Sequence, residues 1–382
     1  MEIRYFDHAA TTGVREEVLK EMLPYFEREY GNASSLYTLG RRARKAIETA
    51  RQRVAKTIGA KQHEIYFTSC GSESDNLAIK GIAYANKEKG NHIITSKIEH
   101  PAVLHTCQNL ERQGFKVTYL NVDTNGFVSL KELENAITEQ TILISIMYAN
   151  NEIGTIQPIP EIGAIAKKHG IIFHTDAVQG IGNVKIEVKK ENIDVLSLSA
   201  HKFYGPKGVG ALYVKAGIPF EKIQDGGHQE KDKRAGTENV AGIVGLGKAI
   251  ELAYQDMEAN YKKTMDLREY YLNQIQERIP NIKINGDRQK RLPGNVNISF
   301  LGVDGQEMLL AFDRMGICAS AGSACSSGSV SPSHVLLAIG LNSEQAQGTV
   351  RITMGMENTK EEVEKLVEDT VDVVETLRKM TS

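Results

Sequence analysis

The sequence predicts an α/β fold in which a mainly parallel sheet forms a large domain and a smaller α+β domain follows it. Three observations predict this fold: short apolar runs alternate with helical patterns, the runs are rich in β-branched residues, and the pattern changes after about residue 255. Alternating strands and helices are typical of a layered α/β domain. Strands that are buried on both faces of a parallel sheet read as near-continuous apolar runs.

Six apolar runs are predicted to form the strands of the large domain. They are HIITS (92–96), KVTYLN (116–121), TILISIMY (141–148), GIIFHTD (170–176), DVLSLSA (194–200) and GVGALYV (208–214). Segments with helical spacing of apolar residues lie among them, namely AVLHTCQNLERQG, SLKELENAI and PEIGAIAKKHG. The alternation predicts one large domain over residues 15–255.

Residues 256–382 are predicted to form the smaller domain, with residues 1–14 packing on it. A long polar-rich helix (256–279) leads to the strand NVNISFL, the helix MLLAFDRMG, a loop, a short helix, the strand TVRITMG and a final helix. The final helix has one apolar stripe, formed by Val363, Leu366, Val367, Val371, Val374 and Leu377. The segment 318–332 is rich in Gly and Ser, which predicts an exposed, mobile loop.

Composition and charge argue against several classes of protein. The chain has 382 residues, of which 41% are hydrophobic and 25% charged, as in a globular protein of two domains. A formal net charge of −2, with acids and bases interspersed, does not favour a nucleic acid or an anionic membrane as partner. The start MEIRYFDHAATT lacks the apolar core of a signal peptide, so we expect a cytoplasmic protein without a membrane anchor.

Four cysteines occur: Cys70, Cys107, Cys318 and Cys325. None forms a Cys-x-x-Cys pair, so no structural zinc or other metal site is expected, and without an export signal all four are predicted to be reduced. Cys325 lies in the middle of the Gly/Ser-rich loop, where a thiol can be reactive, although a chance surface cysteine is an equally good interpretation. Cys318 adjoins a predicted helix and is expected to be more buried.

Lys202 is the first candidate for catalytic chemistry. It follows the apolar strand Val195–Leu198 in SLSAHKFYGPKGVGAL and precedes a glycine-rich turn. Ligands bind at strand ends of α/β sheets, and a lysine that forms a Schiff base must be partly desolvated so that its amine can be neutral. Most lysines after a strand are surface residues, and Lys207 is predicted to be one of these.

Two stretches carry donors that suit a phosphate. Ser199 and His201 flank Lys202, and in FTSCGSESDNLAIKG a predicted strand ends just before Gly71 and Ser72 open a helix. Free N–H groups at a helix start bind phosphate, but Ser and Gly are also ordinary capping residues.

Three charged or titratable residues follow or interrupt apolar strands. Asp176 in FHTDAVQG is predicted to be partly buried and to need a positive partner, for which a pyridinium nitrogen would serve; capping of the next helix is the competing interpretation. Arg351 in TVRITMG predicts a carboxylate partner. His100 in SKIEHPAV follows a strand, a position where a lone histidine is more often structural.

Together these stretches resemble the NifS/IscS-type cysteine desulfurases, which are class V aminotransferases of fold type I. The resemblance runs from YFDHAATT to TVRITMG, and its most specific stretches are SLSAHKFYGPKGVG, HTDAVQ, NNEIGTIQPI, RAGTEN, SAGSACSSG and PSHVLLAIG. It implies a pyridoxal 5′-phosphate enzyme that moves sulfur from L-cysteine to an acceptor and releases L-alanine.

The resemblance also implies a role for each matching position. Lys202 would carry the cofactor, Asp176 would pair with the pyridine nitrogen, and Gln179 would hydrogen-bond the phenolic oxygen. His100 would stack on the ring and help with proton transfer, and Cys325 would receive the sulfur as a persulfide. The phosphate would be held by Gly71, Ser72, Ser199, His201 and, from the neighbouring subunit of a homodimer, Thr237; the substrate carboxylate would be held by Asn151 and Arg351.

Some positions depart from the family pattern, and some alternatives stay open. Cys70 stands where glycine is common, Gly13 where proline is common, and Ala33 and Tyr37 replace the proline and histidine of an Asn-Pro-Ser-Ser-x-His pattern. A selenocysteine lyase would have the same cofactor site, and an aminotransferase of this fold would not need Cys325. A cofactor-free assembly protein is disfavoured. The acceptor and the pathway are left open between general iron–sulfur assembly, nitrogenase maturation and tRNA thiolation.

Overall fold

The computed structural model describes residues 3–321 and 332–381. The strands in these ranges are β1 (Arg4–Tyr5), β2 (Ile65–Thr68), β3 (His92–Ser96), β4 (Lys116–Leu120), β5 (Thr141–Ser145), β6 (Ile172–Asp176), β7 (Val195–Ser199), β8 (Gly210–Val214), β9 (Ile282–Ile284), β10 (Asn295–Phe300), β11 (Ile317–Cys318), β12 (Ser320–Ala321) and β13 (Thr349–Thr353). The helices are α1 (Glu16–Met22), α2 (Pro24–Glu27), α3 (Thr38–Ile58), α4 (Gly71–Asn86), α5 (Pro101–Glu111), α6 (Leu130–Ala136), α7 (Ile159–Lys168), α8 (Gln229–Asp232), α9 (Val240–Gln255), α10 (Met257–Arg278), α11 (Gly305–Arg314), α12 (His334–Ala338), α13 (Ser343–Gln347) and α14 (Lys360–Thr381). No helix of these ranges is long and apolar enough to cross a membrane.

A seven-stranded sheet in the order β2-β8-β7-β6-β5-β3-β4 forms the centre of the larger part. The strands from β7 to β4 run parallel, whereas β8 runs antiparallel to both of its neighbours. Each of the six apolar runs predicted as strands contains one of these strands. The mainly parallel α/β sheet is therefore confirmed. Strand β8 is the exception, because it is antiparallel to both β2 and β7.

Helices cover both faces of this sheet, which explains why every residue of β3, β5, β7 and β8 is buried. On one face α3, α7 and α9 contribute Val54, Ile162 and Leu246 to a core. On the other face α4 and α5 contribute Ile82 and Val103. The sequence predicted α5, α6 and α7, but α1, α2, α3 and α9 were not identified.

A second core lies around a four-stranded antiparallel sheet in the order β12-β13-β10-β9. Helices α10, α11 and α14 pack on it, and the predicted stripe of α14 is buried from Val363 to Val374. Strand β1 pairs with β11, which carries Phe6 into this core. The proposed division into domains at residues 255 and 256 stays a prediction.

The predicted loop 318–332 is wrong at its start. Cys318 ends β11, and Ser320–Ala321 form β12, in which Ser320 is buried. The backbone hydrogen bonds of β12 with β13 outweigh the local Gly/Ser composition, because tertiary pairing commonly overrides strand propensity. The rest of the loop, including Cys325, lies outside the described residues.

Candidate active site

A cavity of about 640 Å³ lies where the carboxyl ends of the parallel strands meet, the place where open α/β sheets bind ligands. Most of the site residues predicted from the sequence line it: Gly71, Ser72, His100, Asn151, Asp176, Gln179, Ser199, His201, Lys202 and Arg351. Thr237 is exposed and is not part of the lining. Cys325 is outside the described residues.

Lys202 enters the cavity from a single 3-10 turn, Ala200–Lys202, which directly follows β7. Its Nζ donates hydrogen bonds to the carbonyl oxygens of Ala9 at 2.5 Å and Ala10 at 2.8 Å. The Nε2 of Gln179 donates to the same Ala9 oxygen at 3.0 Å. The N-terminal segment therefore holds the amine end of this lysine, while Lys207 is exposed at the surface.

Asp176 is the last residue of β6 and is buried among other titratable groups. Its Oδ1 accepts a hydrogen bond from the Val178 N–H at 2.9 Å, as the capping interpretation expected, but it also lines the cavity. Burial raises the pKa of Asp176, whereas the nearby His100 and Lys202 lower it.

Asp75 of α4 is a second buried acid on the same cavity wall. Burial and the neighbouring Asp176 raise the pKa of Asp75 well above its usual range. Its Oδ1 has no hydrogen-bond partner within residues 3–321 and 332–381. Two buried acids on one wall favour a cationic group in the cavity, because burial of a carboxylate needs a positive partner.

His100 is fixed by the start of α5. Its Nδ1 accepts a hydrogen bond from the Ala102 N–H at 3.1 Å, so the proton of the neutral ring lies on Nε2. Burial lowers the pKa of His100, which favours the neutral ring. His100 therefore caps a helix and lines the cavity at the same time.

The start of α4 provides the anion-binding end of the cavity. Cys70 precedes the helix without a side-chain capping bond, so the first N–H groups keep their hydrogen-bonding capacity. The Ser199 Oγ is buried there and has no hydrogen-bond partner within the described ranges. A Cβ at Gly71 would lie 2.7 Å from Val178 Cγ2, which explains the glycine. Helix N–H groups with a buried hydroxyl suit a phosphate.

His201 also lines the cavity, and its Nδ1 lies 3.1 Å from Thr11 Oγ1. Burial, followed by the charge of Lys202, lowers the pKa of His201 to about 4. The ring is therefore neutral at physiological pH and can donate only one hydrogen bond.

Arg351 has the carboxylate partner that the sequence predicted. Its Nη2 forms an ion pair with Asp7 Oδ1 at 2.7 Å, and its Nη1 donates to the Asn151 carbonyl oxygen at 3.0 Å. The Nε is buried and has no hydrogen-bond partner in the described part of the chain. The guanidinium thus keeps a donor for a further anion.

Residues 4–366 match the model of the aminotransferase class-V family. The chain is 56% identical to cysteine desulfurase IscS of Clostridium botulinum (strain Hall), over 99% of this chain and 96% of that protein. The chain belongs to the NifS/IscS-type cysteine desulfurases. A solved NifS-like protein superposes with a TM-score of 0.93 at 38% identity, covering 98% of this chain and all of the other. SspA in complex with cysteine superposes with a TM-score of 0.83 at 40% identity, over 93% of this chain and all of SspA.

Membership of this family confirms the resemblance and the fold type I architecture, and cysteine desulfurases depend on pyridoxal phosphate. The chemistry of the residues that line the cavity also fits this cofactor. The start of α4 and the unpartnered Ser199 hydroxyl suit the phosphate, and the acids Asp75 and Asp176 suit a protonated ring nitrogen. Lys202 lies within the same cavity.

Besides Asp75, the sequence analysis did not identify Glu152, Ser333 and His334, which also line the cavity. Glu152 is buried, its Oε2 accepts a hydrogen bond from Ser333 Oγ at 2.5 Å, and burial raises its pKa to about 7. His334, next to Ser333, donates from Nε2 to the Glu99 carbonyl oxygen at 3.0 Å. The signal for Glu152 was an acid shortly after a fully apolar strand.

Of the four positions that depart from the family pattern, Cys70 lines the cavity and the other three do not. Cys70 lines the cavity beside Gly71, whereas Ala33 is buried and Tyr37 is exposed, and neither contributes to the lining. Gly13 is exposed with open space at its Cβ position, so nothing in the described chain demands the glycine there.

Proposed function

We propose that the enzyme takes sulfur from L-cysteine and releases L-alanine, with pyridoxal phosphate in the cavity at the strand ends. The observation that carries the proposal is the convergence of Lys202, Asp176 and the start of α4 on one cavity that Arg351 also lines. The SspA protein, which is similar in fold, was solved in complex with cysteine, and this supports cysteine as substrate.

Each lining residue has a proposed part in holding the cofactor. Lys202 would carry it, Asp176 would pair with its ring nitrogen, Gln179 would hydrogen-bond its phenolic oxygen and His100 would lie against the ring. Gly71, Ser72, Ser199 and His201 would hold the phosphate. When bound, the cofactor provides an electron sink for the negative charge left on the amino acid as its Cα–H bond breaks.

The chain's own groups provide binding and proton transfer. Arg351 and Asn151 hold the substrate carboxylate. The Lys202 amine takes the Cα proton, and the Ala9 and Ala10 carbonyls keep its ammonium form in place.

The proposed nucleophile, Cys325, accepts the sulfur of the substrate. The Cys325 thiolate attacks the substrate sulfur, an S–S bond forms, and the Cβ–S bond breaks. The electron pair of the broken Cβ–S bond stays on the carbon skeleton, which takes up a proton and departs as alanine. The persulfide on Cys325 then passes to a sulfur acceptor, which we propose to be an iron–sulfur scaffold or another acceptor protein. The cytoplasmic location stays a prediction.

One assay tests this function. The purified protein is incubated with L-cysteine and a thiol reductant, and alanine and sulfide are measured together. Equal amounts of both products are expected. A keto acid in place of alanine would identify an aminotransferase instead, and a much faster reaction with selenocysteine would favour the lyase.

We further propose a homodimer with shared active sites. Seven large apolar side chains of the segment 14–37 are exposed, and exposed apolar side chains favour a protein–protein contact: Val14, Leu19, Leu23, Phe26, Tyr30, Leu36 and Tyr37. Thr237 is also exposed, on a segment whose Arg234 pairs with Glu73 in the first turn of α4. Both surfaces suit contact with a second copy of the chain.

Replacing Thr237 with Ala is expected to weaken cofactor binding, because one hydrogen bond to the partner's phosphate is lost. A hydrogen bond to a charged group contributes about 1.5–3 kcal/mol, or roughly 10- to 100-fold in affinity. Equilibrium dialysis of the cofactor measures the effect, and Thr49→Ala, at an exposed threonine of α3, is the control. Unchanged affinity, or an active monomer in sedimentation, would contradict the shared site.

A further inference from the structure

The guanidinium of Arg351 is used in part by the chain itself. Arg351 is 2% exposed, and its two terminal nitrogens bind Asp7 and the Asn151 carbonyl. Only the Nε lacks a hydrogen-bond partner within the described ranges. A substrate carboxylate therefore meets an arginine whose charge is already paired.

The backbone fixes Asp7 in this position. Asp7 forms an isolated parallel bridge with Thr353, two residues after Arg351 on the same strand, and the Thr353 N–H donates to the Phe6 oxygen at 2.7 Å. The Tyr5 hydroxyl donates to the Asp7 carbonyl oxygen at 3.1 Å. The backbone of Asp7 is thus held beside the strand of Arg351 independently of the ion pair between the side chains.

We propose that Asp7 is a positioning residue that sets how strongly Arg351 binds carboxylates. It holds the guanidinium in place, and its negative charge weakens the attraction of a second carboxylate. The affinity is thereby low enough for alanine to leave after each turnover. This inference rests on the proposed role of Arg351 in binding the substrate carboxylate.

If the ion pair between Asp7 and Arg351 only stabilised the fold, its loss would change the affinity for amino acids in the opposite direction. Loss of such a bridge would let Arg351 move, and amino acids would bind more weakly. If Asp7 instead weakens carboxylate binding, its neutralisation leaves a buried cation without compensation, and any carboxylate that reaches it binds more tightly. The sign of the change in affinity therefore separates the two explanations.

The chain contains a matched control for the experiment. Arg4 Nη2 and Asp369 Oδ2 form a second, largely buried ion pair at 2.6 Å, which also ties the N-terminal segment to the rest of the fold. Neither residue lines the cavity. Asp369→Asn removes a bridge of the same kind from the same segment without touching the site.

Asp7→Asn is expected to bind L-alanine about tenfold more tightly, because it removes the repulsion between two carboxylates that share one guanidinium. The dissociation constant is measured in the cofactor-loaded protein by titrating its absorbance with L-alanine. Asp369→Asn should keep the wild-type constant, and Asp7→Glu should restore much of it. Unchanged or weaker alanine binding in Asp7→Asn would overturn the proposal.

Two additional measurements keep the outcome decisive. If Arg351→Gln binds alanine as well as wild type, the proposed role of Arg351 fails and that of Asp7 fails with it, whereas weaker binding by Arg351→Gln together with unchanged binding by Asp7→Asn refutes the role of Asp7 alone. If Asp7→Asn does not load cofactor, the test uses the wild-type protein. Competition with L-cysteine is then compared between about 0.1 M acetate and a bulky sulfonate at equal ionic strength. Weak competition of acetate with L-cysteine is expected because Asp7 already pairs with Arg351, and strong competition would refute the inference.

Discussion

Replacing Cys325 with Ser is expected to abolish sulfur transfer, while replacing Cys318 with Ser should leave most of the activity. A serine hydroxyl is a poor nucleophile toward sulfur and cannot carry a persulfide, so turnover should fall by at least about three orders of magnitude. Lys202, Asp176 and His100 are unchanged in both variants. Binding of L-cysteine should therefore persist in Cys325→Ser.

Cys318 is a matched control because its environment is fixed by the fold. It ends β11, its partner across the pair is Tyr5, and its carbonyl oxygen accepts a hydrogen bond from the Phe6 N–H at 2.9 Å. Burial raises the pKa of the Cys318 thiol, which lowers its thiolate fraction. Any loss of activity in Cys318→Ser should reflect packing.

Mass spectrometry distinguishes the two thiols directly. After a limited pulse of L-cysteine, one added sulfur is expected on the peptide that contains Cys325. Absorbance of the cofactor should still change when L-cysteine is added to Cys325→Ser. Sulfur mainly on Cys318, or full turnover by Cys325→Ser, would show that the nucleophile has been assigned wrongly.

Replacing Lys202 with Ala is expected to remove the covalent attachment of the cofactor and reduce turnover by about 10³-fold or more, since a positioned acid–base group alone contributes about 10²–10⁴-fold. Lys207→Ala is the control, because Lys207 lies five residues later and is exposed. It should retain wild-type activity. The expected contrast follows from the contacts of the Lys202 Nζ with Ala9 and Ala10 inside the cavity.

Borohydride reduction followed by peptide mapping tests the attachment. The wild-type protein should be yellow as purified and should carry a pyridoxyl group on the Lys202 peptide after reduction. Lys207→Ala should give the same modified peptide. An adduct on Lys207, or on no lysine, would refute the assignment.

Much of the larger sheet could be predicted because its strands are buried on both faces. Burial on both faces favours apolar residues on both sides of a strand, so runs such as 92–96 and 141–145, whose residues are all buried, can be recognised without any partner strand. The helix α3 was not identified from the same sequence. Its mean hydropathy is low because it is rich in Arg and Lys, and only one stripe, including Ile47 and Val54, meets the core.

Some parts of the candidate site could likewise be predicted from local sequence, and others could not. Lys202 and Asp176 could be identified because each is a charged residue at the end of an apolar strand, which is a local signal. The strand β12 could not be identified, because its two residues become a strand only through pairing with β13. The partners Asp7 and Arg351 are 344 positions apart. No local pattern relates them.

The sequence by itself determined the α/β class, the parallel strands and the residues that come together at their carboxyl ends. These properties depend on the apolar or charged character of residues that are neighbours in the chain. Tertiary structure alone decided that the carbonyls of Ala9 and Ala10 hold Lys202, that Asp7 pairs with Arg351, and that Ser333 binds Glu152. These contacts join distant segments, and their geometry exists only after both cores have packed.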